Sequence, residues 1–136
     1  MKTTTSPRTI TAQNFEETVK SGIVFLDFWA SWCGPCRAFA PIFEAAAARH
    51  PDIIFGKIDT EAEPQLSAAF GIQSIPTLMI LRDGILLAVQ PGMVPKEGLD
   101  DLAEQVRTLD MDKVRAQHQE AEAKRGAAAK KRKVAG

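Results

Sequence analysis

The chain has 136 residues, of which 45% are hydrophobic and 25% charged, a composition typical of one globular domain that excludes a chain disordered throughout. Residues 1–109 carry 9 basic and 13 acidic side chains, whereas residues 110–136 carry 8 and 4. No apolar run approaches the ~18 residues of a membrane span, and residues 1–14 show no secretory signal. The sequence therefore predicts a cytoplasmic protein with an acidic domain, 1–109, and a basic tail, 110–136.

The first half of the chain alternates between predicted strands and helices. Residues 8–10 favour a short edge strand, and residues 12–20 favour an amphipathic helix. The nearly unbroken apolar run at 23–28 is typical of a strand buried on both faces. A longer helix is predicted from Gly34 to about Arg49, with a kink at Pro41 because proline removes one backbone hydrogen bond.

The second half continues the alternation and ends in a hairpin and a helix. An Asp-Gly pair at 83–84 between two apolar runs is a strong hairpin signal. Proline at a helix start and leucines at helical spacing mark the other elements. The predicted strand, short helix, hairpin strands and last helix cover 53–58, 64–71, 77–81, 85–89 and 95–109. This order predicts an α/β fold with a mixed central sheet and helices on both of its faces.

The only two cysteines, Cys33 and Cys36, lie at the turn between the buried strand and the long helix. Gly34 and Pro35 are suited to opening the helix, which places Cys33 at or near its N-cap. Unpaired amides and the positive end of the helix dipole favour an anion there. We therefore expect the pKa of Cys33 to fall below the ordinary ~8.5, and we expect Cys33 to be more exposed than Cys36.

This cysteine pair is best interpreted as redox-active. A thiolate attacks disulfides, and a second thiol three residues on can resolve the mixed disulfide. A structural bridge would restrain little chain in so small a loop. A zinc site would need about four ligands, and only His50 and His118 remain to join the cysteines. Both alternatives stay open at lower weight.

Two charged residues stand within the predicted strands. Asp27 interrupts the apolar run of the central strand, so we expect a buried carboxyl with a raised pKa. It could take the proton from Cys36 during resolution, or it could be satisfied by neighbouring backbone groups. Lys57 could approach Asp27 if the two strands are neighbours.

Several segments together resemble the thioredoxin family. Asp27-Phe28-Trp29-Ala30 followed by Trp32-Cys33-Gly34-Pro35-Cys36-Arg37 is similar to its active-site signature, and the similarity runs from about Ile10 to Leu109. Other matching positions are the helix proline, the strand lysine, the loop with a cis proline and the glycine beside the substrate groove: Pro41, Lys57, Ile75-Pro76-Thr77 and Gly92.

The resemblance implies the thioredoxin fold and a thiol-disulfide oxidoreductase that reduces protein disulfides, with Cys33 attacking and Cys36 resolving. It gives Asp27 and Lys57 supporting catalytic roles. No metal or bound cofactor is required, and electrons would pass from thioredoxin reductase to disulfide-containing client proteins. A lowered cysteine pKa is a known property of this motif in thioredoxins, so the expected fall of the Cys33 pKa is not a prediction independent of the resemblance. The residues implied in client binding are Trp32, Gly34, Pro35, Ile75, Pro76 and Gly92.

An alternative function is that of an adaptor, whose groove holds a partner while the tail tethers it. The tail itself is interpreted as a solvated helix or a disordered segment, with little to bury beyond Leu109. Its removal is therefore expected to change stability by less than ~0.5 kcal/mol. No membrane partner is expected. The basic cluster 130–133 leaves a second interpretation open, an anchor for nucleic acid or an acidic partner.

Overall fold

The computed structural model describes the backbone of residues 6–135 and the side chains of residues 6–127. Within this part of the chain, no helix is long and apolar enough to cross a membrane. The strands are β1 (Arg8–Thr9), β2 (Ile23–Trp29), β3 (Ile53–Asp59), β4 (Thr77–Arg82) and β5 (Ile85–Pro91). The helices are α1 (Phe15–Val19), α2 (Gly34–Arg49), α3 (Pro64–Ala69), α4 (Lys96–Arg107) and α5 (Met111–Ala135).

The strands form one mixed sheet in the order β1-β3-β2-β4-β5. β3 pairs in parallel with both β1 and β2, whereas β4 is antiparallel to β2 and to β5. The predicted hairpin turn between β4 and β5 is present, with positive φ angles at Asp83 and Gly84. β2 lies at the centre of the sheet, and helices cover the sheet on both sides, which explains why its sequence is apolar on both faces.

Alternate residues along a strand point to opposite faces of the sheet, so they pack into two separate cores. Phe25 belongs to the core that α2 and α4 cover, and Leu26 belongs to the core beneath α1 and α3. The prediction of helices on both faces is therefore confirmed. Asp27 follows Phe25 by two residues, so it points to the face covered by α2, the helix that carries Cys36.

Helix α1 begins at Phe15, three residues later than predicted. The reason is Asn14, whose side-chain oxygen accepts a hydrogen bond from the Thr11 amide at 2.7 Å. Its side-chain amide donates to the Thr9 carbonyl oxygen at 3.1 Å. These local bonds hold the chain before Phe15 in a turn, an alternative to helix that asparagine often provides.

The chain after Leu109 continues as the helix α5, and its first turns lie against the domain. Met111 is buried, with 7% of its surface exposed, and Val114 one turn later is half-buried. Arg115 lies 3.7 Å from the Asp83 carboxylate in the hairpin turn. The tail was expected to have little to bury beyond Leu109, but Met111 is a buried side chain within it, so the stability change on removing the tail is expected to exceed the ~0.5 kcal/mol inferred from the sequence.

Two truncations are predicted to differ in stability. Removing residues 110–136 exposes the surface under Met111 and should lower the free energy of unfolding by about 1.5–3 kcal/mol, the value of burying one methionine side chain. Removing only residues 122–136 should change it by less than about 0.5 kcal/mol. Urea denaturation of both proteins checks this, and equal stabilities would show that Met111 contributes nothing.

Candidate active site

The cysteine pair caps α2 as the sequence predicted. Cys33 is the N-cap residue, with extended backbone angles, and Gly34 and Pro35 occupy the first helical positions. The Cys33 sulfur accepts a hydrogen bond from the Cys36 amide at a distance of 3.2 Å. The two cysteines form a disulfide with their Cα atoms 5.2 Å apart. The Cys33 sulfur therefore accepts a hydrogen bond from an amide at the N-terminus of α2, where a negative charge is stabilised.

The expected contrast in exposure between the cysteines is nearly absent. Cys33 is 4% exposed and Cys36 is 2% exposed, so both are buried in this disulfide form. They pack in one small cluster with Ala30, Trp29 and Ile75. Because Cys33 packs within this cluster, its position at the helix end does not expose it.

The loop before β4 lies beside the Cys33 sulfur. The Ile75-Pro76 peptide bond is cis, as predicted. The Ile75 carbonyl oxygen is 3.7 Å from the Cys33 sulfur. Gly92, with φ of +90°, donates its amide to the Pro76 carbonyl oxygen at 2.8 Å. The structure thus brings three of the residues predicted for client binding to one edge of the disulfide.

The other predicted binding residues lie on the surface of the turn between β2 and α2, which carries the two cysteines. Gly34 and Pro35 are exposed, and Trp32 is 65% exposed although it is a large apolar side chain. The Trp32 indole N–H donates to a Glu61 carboxylate oxygen at 3.2 Å. Sequence reasoning missed Glu61, because no local signal connects residues 29 positions apart. Exposed apolar surface of this kind often marks an interaction site.

Arg37 is a second residue at this turn that the sequence reasoning did not assign. Its guanidinium donates to the Ser31 carbonyl oxygen at 2.8 Å. This bond connects the first turn of α2 to the loop that follows β2. Its position directly after Cys36 in the signature was the only available signal.

Asp27 is fully buried, and neither carboxylate oxygen has a hydrogen-bond partner among the described residues. Burial raises the pKa of this carboxyl from 3.8 to about 7, and the positive charge of Lys57 opposes the rise. The expected buried acid with a raised pKa is present, whereas the alternative of satisfaction by backbone groups is not observed.

Lys57 lies beside Asp27 in register on the neighbouring strand β3. Its ammonium group is 5.0 Å from the centre of the Trp29 ring, a cation-π distance. Lys57 and Trp29 also line a cavity of about 240 Å³ together with Asp59 and Glu63. The lysine therefore acts on Asp27 through its charge, while its head group faces Trp29 and this cavity.

His50, one of the histidines considered as a zinc ligand, lies at the opposite end of α2 from Cys33. Its Nε2 atom is 2.7 Å from an Asp100 oxygen, and its Nδ1 atom is 2.8 Å from the Arg107 guanidinium. Among the described residues, no group of three or more His, Cys, Asp or Glu side chains is placed to hold a metal ion.

Comparison with known proteins agrees with this geometry. The sequence profile of the Thioredoxin family matches residues 6–105. The chain belongs to the thioredoxin family. A putative thioredoxin 2 from Streptomyces coelicolor is 50% identical over 123 residues, which cover 90% of this chain and 92% of that protein. A thioredoxin from Listeria monocytogenes is 40% identical over 94 residues, 68% of this chain and 91% of its own.

Solved structures give the same family. A mutant thioredoxin from Halobacterium salinarum superposes with a TM-score of 0.74 at 28% identity and covers 80% of this chain and 97% of its own. A Malassezia sympodialis thioredoxin gives a TM-score of 0.69 at 26% identity, with 77% and 94% covered. The fold is the thioredoxin fold, and the protein is a thiol-disulfide oxidoreductase with Cys33 and Cys36 as its disulfide-forming pair.

Proposed function

We propose that this thioredoxin reduces disulfides of client proteins by two successive exchange steps. The Cys33 thiolate attacks one sulfur of the client disulfide, that bond breaks, and the released client sulfur takes up a proton. Cys36 then loses its proton and attacks the Cys33 sulfur, so the client leaves as a dithiol. Two electrons pass to the client, and the Cys33–Cys36 disulfide remains.

The observation that carries this proposal is the hydrogen bond from the Cys36 amide to the Cys33 sulfur at the start of α2. It gives Cys33 the amide and dipole environment that stabilises a thiolate, and Cys36, within the helix, lacks that environment. The attacking sulfur is therefore Cys33. Cys36 is the resolving thiol because it is the neighbour that already forms a bond with Cys33 in the disulfide form.

Asp27 is proposed as the proton acceptor for Cys36. A carboxyl with a pKa of about 7 is partly ionised near neutral pH, so it can both accept and release a proton there. It has no other partner among the described residues, and it points to the face that α2 covers. Lys57 supports this role, because its charge limits the rise of the Asp27 pKa.

Client proteins are proposed to bind across the apolar rim around the disulfide. Trp32 supplies exposed aromatic surface, and Gly34 and Pro35 present a turn without bulky side chains. On the other side, Ile75 and Pro76 lie in the loop next to the Cys33 sulfur, and Gly92, which follows β5, donates its amide to the Pro76 carbonyl oxygen. The backbone at Ile75 could pair with an extended client segment as a short added strand.

The reaction leaves the protein oxidised, so a thioredoxin reductase must return the electrons. Electron transport from that reductase to clients in the cytoplasm is the proposed cellular setting. The dithiol itself carries the electrons, and the proposal includes no metal and no bound cofactor.

Reduction of insulin disulfides, coupled to a thioredoxin reductase from the same source, tests the proposal. The wild-type protein should turn over many insulin disulfides per molecule. The Cys33→Ser, Cys36→Ser double variant serves as the matched control, because it keeps the rim and the tail. Turnover by the double variant, or none by the wild type with an active reductase, would overturn the proposed function.

A further inference from the structure

The charge of the chain is divided sharply after residue 109. The helix α5 carries 8 basic and 3 acidic side chains, in contrast to the 9 and 13 of residues 1–109. After Ala123 there are six basic residues and no acidic one. The side chains of four of them, Lys130, Lys131, Arg132 and Lys133, lie outside the described residues, and their close spacing is a feature of the sequence.

Among the described side chains of α5, those of its first turns attach the helix to the domain. Met111 is buried, and Arg115 forms an ion pair with Asp83. Residues 122–127 are all exposed. The side-chain ion pairs described for residues 116–127 join His118 and Arg125 to Glu122, within α5 itself. We call residues 124–135 the basic half of α5. As far as its side chains are described, they form no ion pair with the acidic domain.

The attachment point is at the opposite end of the sheet from the disulfide. Asp83 accepts a hydrogen bond from the Gly22 amide just before β2, whereas Cys33 follows the other end of β2. A strand of seven residues spans about 20 Å. A partner held by α5 would thus leave the rim around Cys33 open to clients.

The composition of the basic half favours one of three possible anionic partners, which are a lipid surface, an acidic protein and a nucleic acid. Apart from alanine and glycine, Val134 is the one nonpolar residue after Ala123. A helix that lies in a lipid surface needs an apolar face with large side chains, and the core of a protein interface is apolar and depleted in charge. Neither can be built from these residues. Phosphate contacts along a nucleic acid require only closely spaced cations.

We propose that residues 124–133 of this thioredoxin form a nucleic-acid-binding arm that contacts the phosphate backbone without sequence preference. The arm holds the redox domain on nucleic acid while the dithiol remains free to react. Binding arises from counterion release and is therefore strongest at low salt. The arm is independent of the thiol chemistry proposed above, because it shares no residue with the disulfide site.

Fluorescence anisotropy with a labelled duplex DNA tests the arm in the full-length protein. The test variant is Lys130→Gln, Lys131→Gln, Lys133→Gln. The matched control is Arg8→Gln, Lys20→Gln, Lys96→Gln, which removes the same charge from exposed positions of the domain. Wild type and control should bind with the same affinity, and the test variant should bind at least about tenfold more weakly at low salt. The slope of log affinity against log salt should fall by about 2 to 3 for the three lost cations.

Three results would overturn the proposal. One is no binding of wild-type protein to DNA at low salt, and another is equal loss of binding in the test and control variants. The third is stronger binding of the wild type to phosphatidylserine vesicles or to poly-glutamate than to DNA, which would assign the arm to lipid or to acidic protein. Insulin reduction measured in the same samples should be unchanged in both variants, so failure of the arm and failure of the thiol chemistry can be told apart.

Discussion

Replacing Cys36 with serine is expected to stop turnover while leaving the first exchange step intact, so client proteins accumulate as mixed disulfides on Cys33. Without the second thiol, no internal attack releases the client. Insulin reduction should fall on the order of 10³-fold or more, as for other enzymes that lose an essential nucleophile. Non-reducing electrophoresis of the variant after mixing with oxidised insulin should show an adduct that dithiothreitol removes.

The Cys33→Ser variant is the matched control for this experiment. It keeps one thiol, the rim and the tail, but the remaining sulfur is not at the helix N-cap. It should form little or no adduct. The adaptor alternative expects something else, because an adaptor grips clients without covalent bonds. Equal capture of client by the Cys33→Ser, Cys36→Ser double variant, insensitive to dithiothreitol, would favour the adaptor.

Replacing Asp27 with asparagine is expected to make the stability of the protein less dependent on pH. Below about pH 4 both the folded and the unfolded chain hold the proton, and the buried carboxyl carries no ionisation penalty. Between about pH 4 and pH 7 the unfolded chain releases the proton while the folded chain keeps it, so the wild type loses stability as pH rises. Above the pKa of about 7 that Asp27 has in the folded chain, the full cost of ionising the buried carboxyl remains.

The size of the effect follows from the Asp27 pKa. A rise from 3.8 to about 7, at about 1.4 kcal/mol for each pH unit, corresponds to roughly 4 kcal/mol. The stability of Asp27→Asn minus that of the wild type should increase by up to this amount between about pH 4 and pH 8. Urea denaturation of the oxidised proteins measures it, with Asp101→Asn on the exposed surface of α4 as the control. A difference that shrinks as pH rises would mean that the folded carboxylate is paired, most directly with Lys57.

The same variant should slow the resolution step. If Asp27 accepts the Cys36 proton, its replacement should lengthen the lifetime of the mixed disulfide on the order of 10²-fold, a typical contribution of one general base. Stopped-flow mixing of reduced variant and oxidised client measures this lifetime. Unchanged release together with the expected stability change would leave Asp27 as a buried acid without a role in proton transfer.

The features that the sequence predicted well depend on neighbouring residues. The capping of α2 by Cys33 follows from Gly34 and Pro35 beside it, and the burial of Asp27 follows from the apolar residues of β2 around it. The hairpin at Asp83 and Gly84 likewise depends on a local turn. In each case, backbone preference and hydrophobic period act over a few residues, so a single sequence is sufficient.

The features that the sequence did not predict depend on contacts between distant residues. Glu61 meets Trp32 only because the loop after β3 lies beside the loop after β2. Met111 is buried although it lies beyond the last apolar stripe of the domain, and its position in the chain does not reveal this. Cys33, in the disulfide form, is buried by packing with Trp29, Ala30 and Ile75. Tertiary packing therefore decided what local patterns could not.

Selective alkylation of the reduced protein shows whether Cys33 is the nucleophile. Limiting iodoacetamide is added well below the ordinary thiol pKa of about 8.5, and peptide mapping by mass spectrometry then locates the label. Only a thiol with a stabilised thiolate reacts appreciably under this condition. We expect label on Cys33 with Cys36 unmodified. Equal labelling of the two cysteines or preferential labelling of Cys36 would contradict the assignment of Cys33 as the nucleophile.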